Sequence, residues 1–165
     1  MVSVVPGSLT LVVPAEDGRR SPLQDLLSGT NHRVRLARNA EEAVSVLGQE
    51  PFDLILLDLG VRDSDGVGIL QMLKCESRVW HIPVIVVGNP DGADDVVRSL
   101  ELGAEDYLLA PLHPVLLGVR INSFLAKKRL QKVETEYIKI FEEQSADLTE
   151  LKRELTRLRT ADVPS

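Results

Sequence analysis

The 165-residue sequence has a single cysteine, Cys75, and aromatic residues make up only 4% of it. One cysteine leaves no partner for an internal disulfide and too few thiolates for a cysteine-based zinc site; a buried or half-buried thiol is expected. With so few rings, the core must be packed by Leu, Val and Ile. No apolar run approaches the ~18 residues that read as a membrane span, and no basic leader precedes an apolar segment at the N-terminus. The expectation is a cytoplasmic protein with no membrane partner. His32, His81 and His113 lack metal-ligand spacing and are expected at the surface or in turns. Gly66-Val67-Gly68 lacks the third glycine of a dinucleotide fingerprint. Ser21, Ser28 and Ser64 lack the Gly-x-Ser-x-Gly setting of a hydrolase nucleophile. No residue is expected to be catalytic, so the chain does not read as an enzyme.

Charge is unevenly spread. Residues 1–118 hold 9 basic and 17 acidic groups, whereas residues 119–165 hold 10 basic and 8 acidic. Two physically different parts are implied, and an acidic body disfavours nucleic acid as a partner. Lys127-Lys128-Arg129 is a solvated basic cluster rather than a DNA-reading region, because acidic residues follow within two turns.

The body is organised around Phe52–Gly66. Leu54 to Leu57 is an uninterrupted apolar run of strand length, which suits a strand covered on both faces. Asp58 stands where that strand ends, and the carboxyl ends of strands form the ligand crevice of open α/β sheets. Around it, Leu9–Val13, His32–Ala37 (an edge-ward strand with Val34 and Leu36 inward), Ile82–Val87 and Asp106–Leu109 read as further strands. Helical spacing marks Pro22–Leu27, the segment capped by Asn39, Gly66–Lys74 and Ala93–Leu102. Pro114 suits the first turn of a final helix, and Trp80 is expected to pack in the turn before strand four. Strands alternating with helices five times predict a doubly wound five-stranded parallel sheet.

Beyond Gly118 no glycine or proline interrupts the chain until after Thr160. Apolar residues fall at Leu130, Val133, Tyr137 and Ile140, then Leu148, Leu151, Leu155 and Leu158. Steps of three and four within each block give the rhythm of a coiled-coil seam. Between the blocks two successive steps of four, through Gln144, make a stutter. A helix this long spans roughly 65–70 Å at 1.5 Å per residue, and alone it would leave its leucine stripe wet. A hairpin is the alternative, but no glycine or proline marks a bend. A parallel homodimer is the expectation. The predicted divisions are 7–125 for the body, 126–160 for the coiled coil and 161–165 for a frayed tail without an end-of-domain feature, as in a fragment that continues into an output domain.

Over about residues 9–125 the chain resembles the response regulator receiver domain of two-component signalling. The run from Asp58 to Asp65-Gly66 matches that family's phosphoacceptor loop in spacing, with Arg62 where a proline is usual. Ile82-Pro83-Val84-Ile85-Val86-Val87 matches its fourth strand; Leu102-Gly103-Ala104-Glu105-Asp106-Tyr107-Leu108 and Pro111 match its fifth-strand region. The resemblance implies the flavodoxin-like receiver sheet, followed here by the long α-helix. It implies that Asp58 occupies the position phosphorylated by a histidine kinase, that Tyr107 is the switch aromatic, and that the Ala110-Pro111 bond is cis. It also exposes departures. The family's two metal-binding carboxylates after strand one fall on Pro14 and Ala15, its hydroxyl residue after strand four on Gly88, and its lysine on Ala110. Glu16 and Asp17 are the nearest residual acids, one and two positions late. Mg²⁺ requires hard oxygen ligands in near-octahedral array, so it belongs only to the alternative in which Asp58 is a conventional phosphoacceptor. The leading expectation is a pseudo-receiver without cofactor, dimerised by its coiled coil and relaying orientation to an output domain, with a kinase or another signalling protein as input.

Overall fold

The structure is a computed structural model that describes residues 8–13, 22–28, 32–60 and 66–162. The described strands are β1 (Leu9–Val13), β2 (Arg33–Leu36), β3 (Leu54–Asp58), β4 (Val84–Gly88) and β5 (Asp106–Leu109). They form one parallel sheet in the order β2-β1-β3-β4-β5. The helices are α1 (Pro22–Ser28), α2 (Ala40–Leu47), α3 (Gly66–Cys75), α4 (Ala93–Glu101) and α5 (Pro114–Ala161). A short 3₁₀ turn, Pro90–Gly92, precedes α4. The chain divides into two compact units at Leu125/Ala126.

In the first unit β3 and β4 are apolar from Leu54 to Leu57 and from Val84 to Val87, because each strand has two covered faces. Ile55 and Leu57 of β3 join Val84 and Val86 of β4 in one cluster with Ala43, Leu47, Ile69, Leu70 and Leu73 of α2 and α3. Leu54 and Leu56 point the other way, with Ile85 and Val87, into a second cluster with Leu23 and Leu27 of α1 and Leu117, Ile121 and Leu125 of α5. Local signals agree with this packing. Asn39 caps α2, its side chain accepting the Glu42 N–H at 2.8 Å, while the Glu42 carboxylate accepts the Arg38 N–H at 2.8 Å.

Four expectations are corrected. Leu36 is not inward but exposed, because β2 is the edge strand and none of its four residues is fully buried. His32 is not a surface histidine. It is buried at the start of β2, its Nδ1 3.4 Å from Ser8 Oγ, and burial pushes its pKa down. Cys75 is exposed, because as the last residue of α3 it falls off the buried stripe of Val67, Ile69, Leu70 and Leu73. Trp80 does lie in the turn before β4, but it is 57% exposed and meets the His81 ring in a T-shaped contact, with ring centroids 6.3 Å apart; Val79 takes the buried place in that turn.

In the second unit, every residue from Arg129 to Asp162 is exposed. Thr135, Thr149, Thr156 and Thr160 each donate their hydroxyl to the carbonyl four residues back, at 2.8–3.1 Å. These β-branched residues thereby satisfy their polar atom within the helix.

Candidate functional site

The C-terminal ends of β3, β4 and β5 meet at one edge of the sheet, and their registers fix which residues stand there. Asp58 pairs with Val87, and Gly88 pairs with Leu109. The Ala110 N–H donates to the Gly88 carbonyl at 2.8 Å. Leu59, Gly60, Gly88, Asn89, Asp95 and Ala110 are among the residues lining a cleft of about 700 Å³.

Asp58 is half-buried at the last position of β3. Its Oδ1 accepts the Gly60 N–H at 2.9 Å. Burial raises its pKa above the usual carboxylate value, and the Gly60 hydrogen bond opposes that rise without cancelling it. No ion pair to Asp58 occurs among the described residues. The carboxylate is therefore held where its charged form is disfavoured.

Gly88 is buried, and the space a side chain would need is already taken. A Cβ there would lie 2.9 Å from Val96 Cγ2 and 3.7 Å from Leu59 Cδ1. Val96 is itself buried, on the inward face of α4. A hydroxyl residue at position 88 thus has no room unless the valine moves. Ala110 follows β5, and its methyl group can neither donate a hydrogen bond nor neutralise a phosphate. The Ala110-Pro111 bond is cis. Tyr107 of β5 turns outward, 40% exposed, beside a second cleft that Leu109, Leu116 and Arg120 also line.

Gly66 shows why the loop after β3 must end in glycine. A Cβ on this first residue of α3 would come within 2.8 Å of Leu59 Cα. The backbones of the strand exit and the helix start touch, and no side chain fits between them.

Pro14, Ala15, Glu16 and Asp17 lie outside the described residues, as do Arg62, Asp63 and Asp65. Among the described residues no group of three or more His, Cys, Asp or Glu side chains could hold a metal ion. Among the described residues at this edge, Asp58 offers one half-buried carboxylate with an oxygen engaged by the Gly60 N–H, and Gly88 and Ala110 carry no side-chain oxygen.

The register brings Asp58, Gly88 and Ala110 to this edge, whereas Tyr107 pairs with Val86 two residues before the end of β5 and faces the second cleft. Sequence reasoning missed Val96, whose role follows from α4 lying over the end of β4. The only signal was its place on the apolar side of a strongly amphipathic helix. In the second unit Leu130, Val133, Tyr137, Ile140, Leu148, Leu151, Leu155 and Leu158 are all exposed, Gln144 among them; Ile138 and Phe141 are exposed apolar residues the seam left out.

Residues 11–122 match the model of the response regulator receiver domain. Over 117 residues the chain is 37% identical to a "Probable transcriptional regulator ycf27" of Cyanidium caldarium, covering 71% of this chain and 46% of that protein. Over 102 residues it is 32% identical to a "Probable cyclic di-GMP phosphodiesterase" of Vibrio cholerae, covering 62% and 23%. The crystal structure of the signal receiver domain of a histidine kinase from Syntrophus aciditrophicus superposes with a TM-score of 0.62 at 31% identity, covering 73% of this chain and 91% of that one. The chain spans less than half the length of these two curated relatives.

Proposed function

The chain belongs to the response regulator receiver domain family, and from that premise we propose that it is a two-component signalling module whose Asp58 accepts phosphate poorly and whose helix pairs with a second copy. Receiver domains are signalling modules that meet histidine kinases and output domains. Here the pairing of residues 126–160 carries orientation to an output domain, and a partner protein rather than phosphate supplies the input.

The observation that carries the first half is the packing of Val96 over Gly88. Phosphoryl transfer to a carboxylate builds charge that must be met by a metal, a cation and hydrogen-bond donors. At this edge one donor position is filled by a valine methyl, the cation position holds Ala110, and the acceptor carboxylate is disfavoured in its charged form.

The second half is supported by the exposed leucine stripe. Most helical stability in proteins comes from packing an amphipathic face, and a second copy supplies an identical face.

Incubation with acetyl phosphate and Mg²⁺, followed by intact-mass measurement, tests the phosphate half. The expected result is no Asp58-dependent gain. A stoichiometric gain of one phosphoryl group, absent in Asp58→Asn, would restore the conventional phosphoswitch.

A further inference from the structure

The helix beyond Leu125 carries more apolar side chains than one seam uses. Ile138 and Phe141 stand exposed beside Tyr137 and Ile140. Their spacing gives the seam two routes. By the first, Leu130, Val133, Tyr137, Ile140 and Gln144 follow in steps of three and four. By the second, Tyr137, Phe141, Gln144 and Leu148 follow in steps of four and three, and run without a break into Leu151, Leu155 and Leu158. The routes overlap from Tyr137 to Gln144, share both those residues, and differ in whether Ile140 or Phe141 enters the seam. The stutter falls at 140–148 when Ile140 is used and at 133–141 when Phe141 is used.

We propose that residues 137–144 of a parallel homodimer pack in either of two registers, burying Ile140 in one and Phe141 in the other. At 3.5 residues per turn the exchange rotates that segment by about 50°. The inference rests on the paired-helix reading above and concerns how that pair is regulated.

Charge selects the partner and its alignment. In a parallel, in-register pair the position flanking the seam on one helix faces a position five residues further along the other, and opposite charges there set orientation. Above the overlap this sets Arg129 against Glu134. Below it, Asp147 faces Lys152 and Glu154 faces Arg159. All three pairings are of opposite sign, as a second copy in parallel requires. Inside the overlap the corresponding pairings are Glu136 with Phe141 and Ile140 with Ser145, so no ion pair crosses the segment that exchanges. The ends are pinned and the middle is free to turn, because each register swaps one large apolar knob for another and strands no new polar group.

The test uses the full chain in a Cys75→Ser background, since Cys75 is exposed. Ile140→Cys, Phe141→Cys and, as a reference, Leu151→Cys are oxidised under identical mild conditions. Leu151→Cys is expected to cross-link readily, and both Ile140→Cys and Phe141→Cys to cross-link at measurable rates. Adding Phe141→Glu to Ile140→Cys should raise its rate several-fold, and adding Ile140→Glu to Phe141→Cys should do the same, because each charge expels its register. Efficient cross-linking at Leu151 with only one of the two positions reactive, and no response to the added glutamates, overturns the two-register inference and leaves the dimer standing. A protomer mass in solution with no cross-link at Leu151 overturns both.

Discussion

Leucines of the two units meet opposite fates. In the first unit Leu11, Leu54, Leu56, Leu57 and Leu70 are fully buried between the sheet and its helices. In the second, Leu130 is 69% exposed, and none of the seam leucines after it is buried. Both units are built from strong formers of their own secondary structure, so local propensity does not separate them. The difference is whether the apolar face finds its cover inside the chain. The sheet closes its hydrophobic surface with α1, α2, α3, α4 and the start of α5. The long helix beyond Leu125 leaves its apolar residues exposed within the chain.

The comparison breaks most completely if the second unit is removed. Residues 1–125 alone should sediment as a monomer while the full chain sediments as a dimer, and the shortened chain should still unfold cooperatively. A full chain that sediments as one protomer would mean that the exposed stripe has no partner of its own kind. Next in size, Leu56→Ala in the first unit should cost about 2–5 kcal/mol in denaturant unfolding, the range for emptying a packed leucine site. Leu155→Ala should leave unfolding of the first unit unchanged and weaken only the association. Similar losses in both would show that the two units unfold as one.

A smaller effect sharpens the contrast within the first unit. Gly88→Ser should cost about 1–3 kcal/mol, the usual range for overpacking, since its Cβ meets Val96 Cγ2. Val96→Ala should return part of that cost in the double variant, which thermal unfolding of the four-member cycle would show. An additive cycle would mean that the valine is not what fills the site.

The smallest expected effect is electrostatic. Burial raises the pKa of Asp58, so the folded state holds its proton more tightly than the unfolded chain does. The charged carboxylate therefore lowers stability at neutral pH, and this penalty fades as pH falls through the raised pKa. Asp58→Asn should raise the melting temperature slightly at pH 7, with the gain shrinking toward the acid side of the ordinary carboxylate range. A gain that grows on acidification contradicts the direction of the shift.

The alternation of elements was legible because uninterrupted apolar runs such as Leu54–Leu57 and Val84–Val87 suit only strands covered on both sides. The strand ends were legible as a group, since a parallel sheet sends Asp58, Gly88 and Ala110 to one edge. The edge position of β2 was legible; Leu36 was misread because alternation marks a side chain's face but not how far an edge strand's neighbours cover it. His32 was misread because burial at the start of an edge strand depends on Ser8 in another segment. Cys75 was misread because a helix end turns a residue outward through its angle on the helix.

What the sequence determined by itself is the chemistry available at each position: a carboxylate at 58, no hydroxyl at 88, no amine at 110, and a leucine repeat with charges flanking it. These are properties of residue type and spacing, which one dimension records in full. What only the tertiary structure decided is whether the missing groups have left space. Val96, eight residues further along the chain from Gly88, is brought against it by the return of α4 over β4. That contact depends on how a helix is laid across a sheet, a geometry set by the whole core rather than by either residue.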